Sequence, residues 1–198
     1  MTPQGDLAPN SSVLDLFKDT GAYLQGHFRL SSGLHSPGYL QSALVLRYPE
    51  YAEILGRRLA TLLAPWTADL VVSPALGGLI VGHEVARALR LPFLFTEREA
   101  DRRMALRRGF SMDPGARAII IEDVITTGGS TREVIEIVRA AGAIPVAAGS
   151  IIDRSGGEAD LGIPRVALET LTVPAFDPAQ CPMCAAGTPV SKPGSRPV

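Results

Sequence analysis

The chain has little of what marks secreted, membrane-spanning or nucleic-acid-binding proteins. Only two of its 198 residues are cysteine, which is too few for a disulfide framework. The formal net charge is −1, so we expect no broad electrostatic attraction to nucleic acid or to a membrane surface. No apolar run approaches the roughly 18 residues of a membrane helix, and residues 1–10 lack the basic and apolar regions of a signal peptide. We therefore expect a cytoplasmic protein.

Two common nucleotide-binding motifs are absent as well. No Gly-Lys-Ser/Thr follows a glycine-rich turn, so a P-loop is excluded. No Gly-x-Gly-x-x-Gly occurs, which argues against a dinucleotide-binding Rossmann domain. Kinase and dinucleotide-binding interpretations are therefore set aside. The length still suffices for one domain with a substantial core, with or without a small appendage.

Strand and helix patterns alternate between residues 48 and 152. Residues 48–63 have the apolar spacing of an amphipathic helix. Short, continuous apolar runs predict strands buried on both faces, and they lie at 70–73, 92–96, 118–121 and 144–152. This order predicts an α/β fold with a doubly wound, mostly parallel sheet.

The two ends of the chain do not follow this alternation. Residues 12–23 predict a helix, and residues 26–32 and 38–44 predict two antiparallel strands, which together would form a small N-terminal hood. Beyond the α/β core, proline, glycine and the two cysteines dominate, and we expect a loosely ordered tail. The predicted boundaries of hood, core and tail are 1–45, 46–175 and 176–198.

The segment 118–131 carries most of the functional information. Its apolar strand ends in the adjacent acids Glu122 and Asp123, which repel each other and are costly to bury without a partner. After Val124 and Ile125, small residues open a helix and offer backbone N–H groups to an anion: Thr126, Thr127, Gly128, Gly129 and Ser130. Because ligands bind at the carboxyl ends of parallel strands, the segment predicts a sugar-phosphate site whose acids face sugar hydroxyls or a hydrated metal. A tight turn without a ligand is the weaker alternative.

Two further segments would lie at the same edge of the sheet. Residues 73–78 form a second glycine-containing junction between strand and helix, which suits a pyrophosphate but also a plain turn. Residues 97–109 are a polar stretch rich in arginine: Arg98, Arg102, Arg103, Arg107 and Arg108. Long polar loops between buried strands are uncommon unless they are functional, so we expect a lid over a polyphosphate, with a solvated hairpin as the alternative.

Arg154 follows the predicted strand 144–152 at that edge. It could pair with Asp153 or Asp160 on the surface. A guanidinium at a ligand-binding edge is also well suited to hold a carboxylate with two parallel hydrogen bonds.

These motifs resemble those of a known family. Residues 118–131 resemble the phosphoribosyl diphosphate (PRPP) motif of type I phosphoribosyltransferases. Residues 26–40, with their Leu-x-Ser-Gly-x-x-Ser pattern, resemble the hood of the orotate phosphoribosyltransferases among them. The similarity extends over residues 12–170, and the segment 104–110 with the cysteine-containing tail is similar to the Thermus-type branch.

The resemblance implies orotate and PRPP as substrates, a homodimer whose lids cross between subunits, and Mg²⁺ bound through PRPP and water without a direct protein ligand. PRPP would be bound by Glu122, Asp123, Val124, Ile125, Thr126, Thr127, Gly128, Gly129, Ser130 and Arg98. Orotate would be bound by Thr126, Arg154, Tyr39 and Leu40. The implied catalytic residues are Glu122, Asp123, Arg102 and Arg103.

The chain departs from the family pattern at three places. Ser31 stands where lysine is usual, Leu76-Gly77 replaces Tyr-Lys, and the lid has arginines in place of lysine and histidine. Two rivals remain open. A purine or uracil transferase would keep the Glu122 motif without needing Arg154, and a PRPP-binding regulator would keep the phosphate loop without lid chemistry.

Cys181 and Cys184 form a Cys-x-x-Cys pair, and the chain has three histidines, His27, His35 and His83. One cysteine pair supplies half of a zinc site, so a complete site within one chain is not expected. Zinc shared across a dimer, a redox pair and two buried thiols all stay open. His83 falls within a predicted helix, where a structural role is expected.

Overall fold

The computed structural model describes residues 12–30 and 32–193. The chain divides into two compact units, a hood unit of residues 1–45 and 172–198 and a core unit of residues 46–171. Across the described residues, no helix is both long enough and apolar enough to cross a bilayer.

The hood unit begins with a short helix and a hairpin. Helix α1 (Val13–Asp19) starts at Ser12, whose hydroxyl accepts a hydrogen bond of 3.1 Å from the Asp15 N–H. Strands β1 (Tyr23–Arg29) and β2 (His35–Leu40) pair antiparallel, as predicted. The predicted strand 38–44 is wrong beyond Leu40, because helix α2 (Ser42–Leu46) follows. A short apolar run such as 43–46 does not distinguish strand from helix by periodicity.

The core unit is a six-stranded sheet with helices, which confirms the predicted α/β fold. Its elements in chain order are α3 (Pro49–Leu63), β3 (Leu70–Pro74), α4 (Gly77–Leu89), β4 (Phe93–Arg98), β5 (Met104–Leu106), β6 (Arg117–Ile125), α5 (Gly129–Ala140), β7 (Ile144–Asp153) and β8 (Arg165–Thr170). The strand order is β5-β4-β3-β6-β7-β8, and every pair except β4–β5 is parallel. Parallel strands bring the carboxyl ends of β3, β6 and β7 to one edge.

Alternation along β6 explains why this strand is apolar on both sides. Ile120 packs with Val134 and Val138 of α5 in one hydrophobic cluster. Ile121 faces the opposite side, where it and Leu59 of α3 lie against Gly149. A strand covered by helices on both faces needs a continuous apolar sequence, which is the pattern seen at 118–121.

Residues 172–193 form part of the hood unit, whereas the sequence predicted a loosely ordered tail beyond the core. His35 N–H donates to the Phe176 carbonyl at 2.9 Å and Phe176 N–H donates back at 2.8 Å. Arg29 N–H donates to the Ser191 carbonyl at 2.8 Å. Between these contacts lie a single 3-10 turn (Pro178–Gln180) and helix α6 (Pro182–Ala185). The segment therefore differs from the predicted separate tail 176–198, since its backbone pairs with both strands of the hairpin.

Candidate active site

Two adjacent carboxylates, those of Glu122 and Asp123, lie near the carboxyl end of β6. This strand runs to Ile125, whereas the sequence predicted that it ends at Ile121. Glu122 is only 7% exposed, and the Asp123 N–H donates to its Oε1 at 3.2 Å. Burial, and secondly the charge of Asp123, raise the pKa of Glu122 well above its ordinary value of 4.5, while the charge of Arg98 acts in the opposite direction. Glu122 therefore holds its proton more tightly than a free carboxyl group does, and a cationic ligand would favour its ionised form.

The predicted phosphate loop joins β6 to α5. Gly128 precedes the helix with a φ of +76°, and a Cβ there would lie 2.7 Å from Leu161 Cδ2, so both conformation and space require glycine. No side chain caps α5 at Gly128, and its first turn carries no acid. The N-terminal N–H groups of α5 are thus directed at the loop without a competing anion of the protein. Thr126 and Thr127 are exposed there, whereas the Ile125 side chain belongs to the hydrophobic core.

A second helix begins beside the first. Helix α4 starts at Gly77, again without a side-chain cap and without an acid in its first turn. A Cβ on Gly77 would lie 2.5 Å from Asp123 Oδ1, so the helix backbone reaches the carboxylate only because this residue is glycine. Since β3 and β6 are neighbours, two open helix N-termini flank the acids. This arrangement suits a ligand with two separate phosphoryl groups.

The lid segment 97–109 is a hairpin, formed by β4, a tight turn and β5. Glu97 lies opposite Ala105, and the turn is closed by a hydrogen bond of 2.8 Å from Glu99 N–H to the Arg103 carbonyl. The backbone of this segment is therefore the hairpin that the alternative interpretation predicted. Whether it closes over a ligand stays a prediction.

The five lid arginines differ in their partners. Three pair with a carboxylate: Arg98 with Glu133 at 2.9 Å, Arg103 with Asp101 at 2.6 Å and Arg108 with Glu97 at 2.7 Å. Arg102 and Arg107 form no ion pair with any residue of the described ranges 12–30 and 32–193. Arg102 also has a φ of +71°, which is unfavourable for a side chain with a Cβ. Among Arg98, Arg102 and Arg103, the predicted lid contacts, Arg102 is therefore the one with no ion-paired carboxylate in the part of the chain that the structure describes.

Arg154 directly follows β7, and its N–H donates to the Ile125 carbonyl at 2.7 Å. The residue is only 8% exposed, so it does not lie on the surface, where the alternative interpretation placed it. The neighbouring Asp153 carboxylate instead pairs with Arg165 and accepts a hydrogen bond of 2.8 Å from the Ser155 N–H. A buried guanidinium beside the phosphate loop is a suitable partner for an anionic ligand.

The remaining predicted residues belong to the hood unit. Leu40 is buried, and the Tyr39 ring packs against Phe28 with a centroid distance of 5.9 Å. Their contact with orotate stays a prediction, and Ser31 lies outside the described residues. Sequence reasoning missed the role of Gly77, because a missing Cβ beside a carboxylate leaves no signal until the fold brings the two together.

Comparison with known proteins agrees with this geometry. Residues 46–170 match the family model of the phosphoribosyl transferase domain. Over 184 residues, the chain is 52% identical to an orotate phosphoribosyltransferase of Pelotomaculum thermopropionicum, covering 93% of this chain and 96% of the relative. The chain belongs to the orotate phosphoribosyltransferase family. The resemblance seen in residues 26–40 and 118–131 is thereby confirmed.

Other family members give the same result. The orotate phosphoribosyltransferase of Thermotoga maritima is 48% identical over 184 residues, which cover 93% of this chain and 98% of the relative. The crystal structure of orotate phosphoribosyltransferase from Aeropyrum pernix has a TM-score of 0.63 at 28% identity, covering 80% of this chain and 93% of that one. The family thus shares both the sequence and the fold of this chain.

Proposed function

We propose that this phosphoribosyltransferase moves the ribose 5-phosphate group of PRPP onto orotate, giving orotidine 5′-phosphate and pyrophosphate. The observation that carries the proposal is the pair of open helix N-termini on either side of Glu122 and Asp123. PRPP carries a phosphate on C5 of its ribose and a pyrophosphate on C1, and the sugar hydroxyls lie between them. The site offers the matching order of groups, which are an anion site, two carboxylates and a second anion site.

Each group then has a defined task. Residues 126–130 hold the 5′-phosphate at the N-terminus of α5, and residues 76–78 hold the pyrophosphate at the N-terminus of α4. Glu122 and Asp123 accept hydrogen bonds from the ribose hydroxyls. Because the bond to C1 breaks with oxocarbenium character, carboxylates beneath the ribose favour the positive charge that develops there.

We also propose that Mg²⁺ accompanies PRPP. The half-buried Asp123 carboxylate at the pyrophosphate end offers hard oxygen donors, which fit a hydrated Mg²⁺ that keeps its waters. When bound, the ion would neutralise charge on the pyrophosphate. Arg102 supplies further positive charge at that end, and its guanidinium acts as an electrostatic stabiliser and not as a proton donor.

Orotate differs from purines and uracil by its carboxylate. We propose that Arg154 binds this group and that Thr126 contacts the polar edge of the ring. Arg154 is buried beside the loop 126–130, and a planar carboxylate matches two parallel N–H groups of a guanidinium. A neutral base offers no carboxylate for this interaction.

One assay tests the substrate assignment. The purified protein is mixed with PRPP, Mg²⁺ and, in turn, orotate, uracil, adenine or hypoxanthine, and turnover is followed by absorbance. We expect consumption of orotate alone. Turnover of another base without orotate would overturn the assignment, and PRPP binding without any turnover would indicate a regulator.

We further propose a homodimer and a cytoplasmic location. Family resemblance supports the homodimer, and light scattering of the eluted protein tests it, because a monomer mass would contradict it. The two cysteines form no disulfide, which is the usual state in a reducing compartment. Fractionation of cells followed by immunodetection tests the location.

A further inference from the structure

Four side chains with metal-binding atoms converge in the hood unit, far from the phosphate loops in sequence. They are His27, His35, Cys181 and Cys184, and one donor atom from each lies within 4.8 Å of the other three. His27 Nε2 is 2.9 Å from His35 Nδ1. Cys181 Sγ is 3.5 Å from His27 Nε2, and Cys184 Sγ is 3.3 Å from His35 Nδ1 and 3.7 Å from His27 Nε2.

Four of the six distances among these atoms are close to those of a tetrahedron around one ion. Zinc binds histidine nitrogen at about 2.0–2.1 Å and cysteine sulfur at about 2.3 Å. In a regular tetrahedron, such bonds place nitrogen and sulfur about 3.6 Å apart and two nitrogens about 3.3 Å apart. The three measured nitrogen–sulfur distances, 3.3, 3.5 and 3.7 Å, agree with that value, and the two nitrogens need to separate by only a few tenths of an ångström.

The outer contact of His27 prepares its ring for a metal. His27 Nδ1 lies 2.8 Å from the Thr188 carbonyl, which can only accept a hydrogen bond. The proton therefore resides on Nδ1, and Nε2 presents its lone pair to the other three donor atoms. A histidine that ligates a metal through one nitrogen typically donates from the other to a carbonyl or carboxylate.

The chain holds the donors on ordered elements. His27 and His35 lie in β1 and β2, and Cys181 and Cys184 lie at the start of α6 and within it. The Ser191 N–H donates to the His27 carbonyl at 2.8 Å, so the segment that follows α6 is paired to the strand carrying a ligand. His27, His35 and Cys181 are buried and Cys184 is exposed, which leaves one side for an ion to enter.

We propose that His27, His35, Cys181 and Cys184 form a structural Zn²⁺ site within one chain. Two nitrogen and two sulfur ligands in tetrahedral positions favour zinc among the common divalent metals. All four positions are filled by protein, as in structural sites, and two thiolates balance the charge of the ion. The ion would fasten the C-terminal segment to the hairpin that carries Tyr39.

The proposal departs from the expectation that one cysteine pair would not complete a site in a single chain, because His27 and His35 lie beside that pair. Cysteine spacing does not reveal that the C-terminal segment folds back onto a hairpin with two histidines. Two metal-free interpretations compete with zinc. One is a His27–His35 hydrogen bond beside two thiols, and the other is a Cys181–Cys184 disulfide.

The first test is the metal content of the protein without an affinity tag, produced in zinc-supplemented medium, reduced and desalted. Mass spectrometry of the metals should find about one Zn²⁺ per chain. Cobalt titration of the chelator-treated protein should give the visible absorption of tetrahedral, thiolate-bound Co²⁺, and zinc should abolish it. Absence of both signals, or a disulfide in the protein as isolated, would overturn the proposal.

Variants locate the site. Cys184→Ser and His35→Gln should each lose bound zinc and the cobalt spectrum. His83→Gln is the matched control, because His83 is an exposed histidine in the core unit and should leave both unchanged. If a ligand variant fails to fold, the cobalt titration of the unaltered protein still decides. Chelation should also lower Tm, and added Zn²⁺ should restore it; a Tm insensitive to zinc would contradict a structural role.

Discussion

The most informative perturbation of the lid is Arg102→Gly, because it separates the charge of this residue from its effect on the backbone. Arg102 has a φ of +71°, in the left-handed region that costs a residue with a Cβ roughly 1–2 kcal/mol. Glycine adopts this conformation freely, although its greater freedom in the unfolded chain offsets about 0.5–1 kcal/mol. The free energy of unfolding of the variant should therefore equal that of the unaltered protein or exceed it by up to about 1 kcal/mol.

Activity should change in the opposite direction. Removal of one preorganised charge-assisted contact to the leaving pyrophosphate typically lowers the rate by about 10²–10³-fold. We expect a loss of that order in kcat/KM at unchanged or raised stability. Urea denaturation and the orotate assay on the same preparation measure the two quantities.

Arg90→Gly is the matched control. Arg90 is likewise an exposed arginine with positive φ, +59°, but it follows the C-terminus of α4, at the other end of the helix from Gly77. It should gain similar stability and keep full activity. Normal kcat/KM in Arg102→Gly would refute the assignment of this guanidinium to pyrophosphate, and a clear loss of stability would refute the backbone argument.

Three further changes test the rest of the site. Burial raises the pKa of Glu122, so the folded chain binds the carboxyl proton more tightly than the unfolded chain does. This proton linkage stabilises the fold fully below pH 4.5, and the stabilisation is lost as pH rises through the raised pKa. Glu122→Gln should therefore flatten the decline of Tm above pH 4.5 in the ligand-free protein while abolishing turnover; parallel Tm curves would contradict the shift. Gly77→Ala places a Cβ 2.5 Å from Asp123 Oδ1, so calorimetry should show PRPP affinity at least about tenfold weaker, and unchanged affinity would refute the close approach. Arg154→Ala should raise the KM for orotate far more than that for PRPP, and equal increases would undo its assignment.

The core of the fold could be predicted because its signals are local. The continuous apolar run at 118–121 reflects burial of one strand under helices on both faces, and the glycines at 128 and 129 follow from the turn that opens α5. Strand ends were less predictable. Strand β6 continues through the two acids to Ile125, since pairing with β7 extends beyond the apolar residues.

The sequence could not predict which of several similar side chains pairs with which partner. Nothing in the spacing of the lid arginines distinguishes Arg102 from Arg98, and only the hairpin and α5 together direct Arg98 to Glu133. The same holds for Gly77, whose missing Cβ matters because Asp123 of a neighbouring strand lies against it. Such contacts depend on atoms brought together from separate elements.

The sequence by itself determined the α/β class, the family and the segment that we propose to bind phosphate, because these follow from short motifs and periodicities along the chain. Only the tertiary structure showed that the two cysteines lie beside two histidines. Cys181 and His27 are 154 positions apart, and they meet because the C-terminal segment pairs with the hairpin. A metal site needs donor atoms within a few ångströms in space, and a pattern of neighbours along the chain does not encode that distance.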